Sequence, residues 1–70
     1  MKYRDVVQRL RALGCEELER RSGGSHRKWY NPATDRFASL PDWGSKDLKL
    51  ETLRAVVRQL GLDWEVFRNA

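Results

Sequence analysis

His26-Arg27-Lys28-Trp29-Tyr30-Asn31-Pro32-Ala33-Thr34-Asp35-Arg36-Phe37-Ala38-Ser39-Leu40-Pro41 is a strand-turn-strand pattern around which the rest of the chain is arranged. Trp29 and Tyr30 are strand formers, so His26 to Asn31 is read as a strand. Asn31 to Asp35 has turn chemistry, and Pro32 bars the strand from continuing. Arg36 to Leu40 is a second short strand, ended by Pro41. Strand, short turn and strand predict a β-hairpin.

The pattern is different on either side of the hairpin. Upstream, Cys15 to Arg21 is short and mixed, with Leu18 its one clearly apolar residue. Glu16, Glu17 and Glu19 mark it as an exposed strand rather than a central one. Glu-Glu-Leu-Glu-Arg-Arg also fits a helix. Gly14 before it and Ser22-Gly23-Gly24-Ser25 after it leave about seven residues, short for a helix. Further upstream, Val6, Leu10 and Leu13 recur with a helical period beside Tyr3 and Val7, while Arg4, Asp5, Gln8, Arg9 and Arg11 fill the other face. Gly14 stands where a left-handed cap is wanted. Lys2 and Tyr3 are poor N-caps.

Downstream of the hairpin, Asp42-Trp43-Gly44-Ser45-Lys46-Asp47 is a polar loop. Leu50, Leu53, Val56, Val57 and Leu60 then follow the helical period, with Gly61 as the cap and Leu62 as its apolar companion. Asp63 caps a last short turn from Trp64 to Arg68. The order is helix, three strands, helix: an α+β fold, α-β-β-β-α. Two amphipathic helices cover one face of a three-stranded antiparallel sheet, and the other face is free.

Composition narrows the function. Seventy residues make one domain, with no room for a separate cofactor domain. Lys plus Arg exceed Asp plus Glu by 14 to 10, a balance that favours a polyanionic partner. A single cysteine, Cys15, excludes an internal disulfide and a thiolate metal cluster. No apolar run approaches the roughly 20 residues of a membrane span. The charged start Met1-Lys2-Tyr3-Arg4-Asp5 lacks the apolar region of a signal peptide. A cytoplasmic protein without membrane contact is the expectation.

The chemistry concentrates in Arg20-Arg21-Ser22-Gly23-Gly24-Ser25-His26-Arg27-Lys28-Trp29-Tyr30. This run holds four cations, no acid and the chain's one histidine. The cations suit phosphates, and the glycines let backbone N–H groups approach an anion. One of Trp29 and Tyr30 points away from the core, where an aromatic suits stacking on an unpaired base. Imidazole takes or gives a proton near neutral pH, which suits RNA, whose 2′-hydroxyl is an internal nucleophile. No metal is then needed. Candidate RNA contacts are Gly24, Ser25, Arg20, Arg21, Arg27, Lys28 and Lys46, with His26 catalytic. Ser25 lacks a marked acid partner for a nucleophile's role and is read as shaping the turn or binding phosphate. Cys15 is read as a packed small residue. Asp42 and Asp47 are read as loop residues rather than metal ligands. Lys46, Lys49, Arg54 and Arg58 form either a second phosphate strip or a solvated face.

These residues together resemble the HicA family of mRNA interferase toxins, over roughly Tyr3 to Phe67. The matching pieces are Arg4-Asp5-Val6-Val7, Leu13-Gly14, Gly24-Ser25-His26, Asn31-Pro32, Pro41, Thr52-Leu53-Arg54, Val56 to Leu60 and Gly61-Leu62. The resemblance implies a fold similar to double-stranded-RNA-binding domains, cleavage of mRNA with inhibition of translation, the catalytic role of His26, no small-molecule cofactor, and a HicB-type antitoxin that masks the site. Many members carry a second histidine soon after the proline that ends the third strand. Here Trp43 follows Pro41-Asp42, where it either stacks on a base or covers the sheet edge. Two other functions fit the same fold: a non-catalytic RNA-binding module, and an interaction protein whose free sheet face pairs with another protein. The histidine directly after Gly-Gly-Ser favours the enzyme, since plain binding does not require it.

Overall fold

The computed structural model describes residues 1–18 and 26–70. In chain order it has α1 (Tyr3–Ala12), β1 (Glu16–Glu17), β2 (His26–Asn31), β3 (Arg36–Pro41), α2 (Leu50–Gln59) and α3 (Trp64–Arg68). The strands form one antiparallel sheet in the order β1-β2-β3. The expected α-β-β-β-α arrangement is therefore present, with the final turn grown into a short third helix. Of the first strand, only Glu16 and Glu17 are paired among the described residues, and Leu18 donates its N–H to the Lys28 carbonyl at 2.9 Å. The rest of the expected strand, residues 19–21, lies outside the described residues.

Both long helices close in the same way. Gly14 has φ +87° and Gly61 has φ +71°. The Gly14 N–H reaches the Arg11 carbonyl at 3.0 Å, and the Cys15 N–H reaches Leu10 at 2.9 Å. Gly61 and Leu62 repeat this on Arg58 and Val57, each at 3.0 Å. These paired bonds satisfy carbonyls that a helix end leaves open, and the left-handed residue between them is costly for any side chain with a Cβ. The start of α1 is weaker. Lys2 offers no side-chain cap, and the Asp5 carboxylate reaches back to the Lys2 N–H at a long 3.4 Å.

Side chains alternate across the hairpin, and the alternation builds the core. Trp29 pairs with Ala38, and Arg27 with Leu40. Trp29, Ala38 and Leu40 are buried and face the helices. They pack with Tyr3, Val6 and Leu10 of α1, with Leu53, Val56 and Val57 of α2, and with Phe67 of α3. Burying apolar area of this kind is the main term that stabilises a small domain. One core position shifted by two residues. Leu50, expected to open the apolar stripe of α2, is 54% exposed, and Leu48 is buried instead. Leu48 lies in the extended segment before the helix, held by its N–H to the Met1 carbonyl at 2.8 Å.

The hairpin turn docks on the end of α2. Asn31 is buried; its Nδ2 donates to the Leu60 carbonyl at 2.8 Å, and its Oδ1 accepts the Ala33 N–H at 3.1 Å. Thr34 Oγ1 donates to the same Leu60 carbonyl at 2.8 Å. A carbonyl that helical geometry leaves unpaired thus ties the hairpin to α2. At the end of α3's approach, Asp63 accepts the Val66 N–H at 3.1 Å, the cap expected of it. Among the described residues no helix is long and apolar enough to cross a membrane.

Candidate functional site

Alternation along β2 sorts the basic run onto two faces. His26, Lys28 and Tyr30 share the face that no helix covers, and Arg27, Trp29 and Asn31 share the other. The pairing partners of the open face are Pro41, Ser39 and Phe37, opposite His26, Lys28 and Tyr30 respectively. His26 and Lys28 are exposed. A shallow groove of about 390 Å³ joins them to Phe37, Ala38, Ser39 and Gln59.

Arg27, grouped by sequence with the phosphate-binding cations, is directed to the helix side. Its Nη1 donates to Glu17 at 3.0 Å and its Nε to Asp42 at 3.1 Å. Its guanidinium lies 5.7 Å from the Tyr3 ring centroid. The hydrogen bond to Glu17, above all, raises its pKa from the ordinary arginine value. Two carboxylates already hold this charge, and Arg27 ties β1, β2 and the loop after β3 together. The expected RNA contacts Arg20, Arg21, Gly24 and Ser25 lie outside the described residues. Lys46 is exposed and lines, with Trp43, a separate hollow of about 330 Å³. Its loop leaves β3 beside Pro41, and so at the His26 end of the sheet.

Of the two aromatics in the run, Trp29 is fully buried and Tyr30 points to the open face. The Tyr30 hydroxyl donates to Asp35 at 2.8 Å. That bond raises the phenol's pKa, with partial burial and the charges of Asp35 and Glu16 acting in the same direction. Tyr30 is therefore a neutral hydrogen-bonded phenol and a poor general base. Phe37, absent from the residues expected in the site, packs against Tyr30 with ring centroids 4.7 Å apart and planes tilted by 36°, and remains 48% exposed. The Lys28 ammonium lies 5.0 Å from the Phe37 centroid. The period-two pattern of β3, set in register with β2, carries the signal that finds Phe37 and Ser39.

The other reactive groups are occupied or buried. Burial raises the pKa of the Cys15 thiol and keeps it protonated, which disfavours a nucleophile's role. Asp42 is held by Arg27 and accepts the Gly44 N–H at 3.1 Å, while Asp47 lies 3.4 Å from the terminal amine. Among the described residues no three His, Cys, Asp or Glu side chains converge as a metal site. Arg54, one of the second set of cations, lies over the Trp64 ring at 5.1 Å.

No curated protein and no solved structure matches the chain. A family model described as the HicA toxin of bacterial toxin–antitoxin systems matches residues 3–62, from the start of α1 to the cap of α2. Residues 1–2 and 63–70, the latter including α3, lie beyond the match. The matched part holds the whole hairpin, the open face and His26, and covers most of the chain. This chain belongs to the HicA toxin family, and so to the nuclease class of toxins that act with an antitoxin partner.

Proposed function

We propose that the chain is an mRNA interferase: it cleaves RNA with His26 as the acid–base group, inhibits translation, and is neutralised by a HicB-type antitoxin. The observation that carries this reading is the position of His26. It is exposed on the uncovered sheet face, in line with Lys28, at one end of a groove that a polynucleotide can enter. The antitoxin is read as covering the same face, where a protein laid on the sheet would hide His26.

In the proposed reaction the 2′-oxygen attacks the adjacent phosphorus. The new 2′-O–P bond forms as the bond from phosphorus to the 5′-oxygen breaks. The 2′-hydroxyl proton leaves to a base, and the 5′-oxygen gains a proton. The products are a 2′,3′-cyclic phosphate and a 5′-hydroxyl. His26 serves one of the two proton transfers, and Lys28 holds a phosphate of the bound strand on the same face. Because the nucleophile belongs to the substrate, the reaction needs no metal-bound water.

Comparing wild type with His26→Ala tests the reading. Loss of acid–base catalysis lowers cleavage by about 100- to 10,000-fold, with unchanged circular dichroism and melting. Expression of the variant leaves growth unaffected. A single 2′-deoxy substitution at the scissile position blocks cutting by the wild type. Full cleavage by His26→Ala, or cutting of the deoxy substrate, refutes the mechanism. Binding without cleavage by both proteins makes the chain an RNA-binding module instead.

A further inference from the structure

We propose that Phe37, supported from beneath by Tyr30, is a platform on which an unpaired base of the bound strand stacks, and that the substrate is single-stranded where it meets this face. The inference rests on the reading of the chain as an RNA-cleaving toxin and adds the class of RNA that it takes.

Phe37 lies on the polar side of the sheet, away from the core, and still exposes about half of its surface. Tyr30 backs the ring at 4.7 Å between centroids, and the Tyr30 hydroxyl is fixed by Asp35. The platform is therefore held in place before any ligand arrives. An exposed ring with a cation poised over it offers what a nucleotide needs. The Lys28 ammonium, 5.0 Å from the ring centroid, meets the phosphate while the ring meets the base. The lysine stem is flexible, so the ammonium moves off the ring as the base arrives.

Charge sets the direction of the strand's parts. Glu16 pairs with Tyr30 and shares the open face at the aromatic end. It disfavours a phosphate there and leaves the ring to a base. The cationic groups, Lys28 and His26, continue toward the other end of the same groove. Tyr30 stands four positions from His26, about 13 Å along β2. The base on Phe37 thus belongs to a nucleotide near the scissile one, not to that nucleotide itself. Bases in a duplex have both faces covered by their neighbours, so a stack of this kind requires an unpaired segment. Ser39 and Gln59 on the groove wall present a hydroxyl and an amide to base edges.

The test measures binding to fluorescein-labelled RNA in the full chain carrying His26→Ala, which prevents cutting. A single-stranded oligoribonucleotide is compared with a blunt duplex of the same sequence. The single strand is expected to bind more tightly. Phe37→Ala and Phe37→Leu each weaken single-strand binding by about 5- to 150-fold, the loss of one base–ring stack, and leave duplex binding unchanged. Phe37→Trp restores it, which separates stacking from apolar area and from misfolding. Equal binding by Phe37→Leu and the parent overturns the proposal. So does an equal loss on single strand and duplex, or a loss confined to binding of the antitoxin. If the wild type cuts no RNA but binding keeps this dependence on Phe37, the nuclease reading falls and the platform stands.

Discussion

Asn31 is where the hairpin that carries His26 is fastened to the helices, and two substitutions there separate shape from charge. Asn31→Ala removes the Nδ2 bond to Leu60 and the Oδ1 bond from Ala33. Thr34 still donates to the Leu60 carbonyl, so no buried acceptor is left empty. Two hydrogen bonds at about 1 kcal/mol each give a loss of about 2 kcal/mol. For a domain of this size that lowers Tm by about 8 to 16 °C. Asn31→Asp keeps the shape but sets a carboxylate oxygen where the Nδ2 stood, facing the Leu60 carbonyl oxygen in a buried site. A buried charge without its partner costs about 3 to 5 kcal/mol. That is a large part of the roughly 3.5 to 10 kcal/mol expected for 70 residues.

The two variants also differ in their response to pH. The new carboxyl, once protonated, donates a hydrogen bond to Leu60. Burial raises its pKa in the folded chain above the unfolded value of about 3.9. A raised folded pKa gives stability that is present at low pH and lost as pH rises through that pKa. Relative to wild type, Asn31→Asp therefore regains stability as pH falls through that raised pKa toward about 3.9, while the deficit of Asn31→Ala stays constant. Thermal melts followed by circular dichroism across this range measure both. A loss under roughly 0.5 kcal/mol for Asn31→Ala, or parallel pH profiles for the two variants, refutes the reasoning.

Two further predictions follow from the same geometry. Gly61→Ala places a Cβ 2.8 Å from Thr34 Cγ2 at φ +71°, whereas Gly14→Ala meets nothing within 4 Å at φ +87°. Urea unfolding is expected to show about 1 to 2 kcal/mol lost at Gly14 from the left-handed backbone alone, and a clearly larger loss at Gly61. The cations of β2 divide in the dependence of RNA binding on salt. Lys28→Gln lowers the slope of log K against log salt by about 0.7 for a single strand, while Arg27→Gln leaves the slope unchanged and lowers Tm. A reversed pattern would place Arg27, not Lys28, on phosphate.

Much of the fold was legible because local signals agreed with one another. Gly14 and Gly61 stand where the apolar stripes of α1 and α2 stop, and both adopt the left-handed conformation that only glycine takes readily. Pro32 and Asp35 mark a turn, and Asp35 takes a positive φ there. The misplacement of Leu50 had a definite cause. Helical periodicity gives the phase of a stripe but not the residue at which the helix begins. The bond from Leu48 to Met1 that sets this start spans 47 positions and leaves no local trace. Legibility of the site was poorer for a related reason. Composition identifies a basic run but does not divide it, and division requires the register between two strands. Applying period two to β2 alone separates His26 and Lys28 from Arg27. Finding Phe37 requires the partner strand as well, because its identity as Tyr30's neighbour exists only across the ladder.

The presence of one histidine has a consequence for the rate of the proposed reaction. In-line displacement at phosphorus puts the attacking 2′-oxygen and the departing 5′-oxygen on opposite sides. One imidazole cannot reach both in the same transition state. His26 is the only histidine in the chain, and Tyr30, the nearest phenol on the open face, is held neutral against Asp35. The second proton transfer then falls to solvent, which the uncovered face admits, or to the Lys28 ammonium as an acid toward the 5′-oxygen. These routes differ in what Lys28→Gln does. If water serves the second transfer, the substitution weakens binding and leaves the maximal rate nearly intact. If the ammonium serves it, the maximal rate falls as well. The position of Lys28, two residues from His26 on the same face and close enough to Phe37 to share a nucleotide with it, fits the first route better. In the proposed pose its ammonium, 5.0 Å from the Phe37 centroid, serves the phosphate beside the stacked base, a nucleotide removed from the bond that breaks.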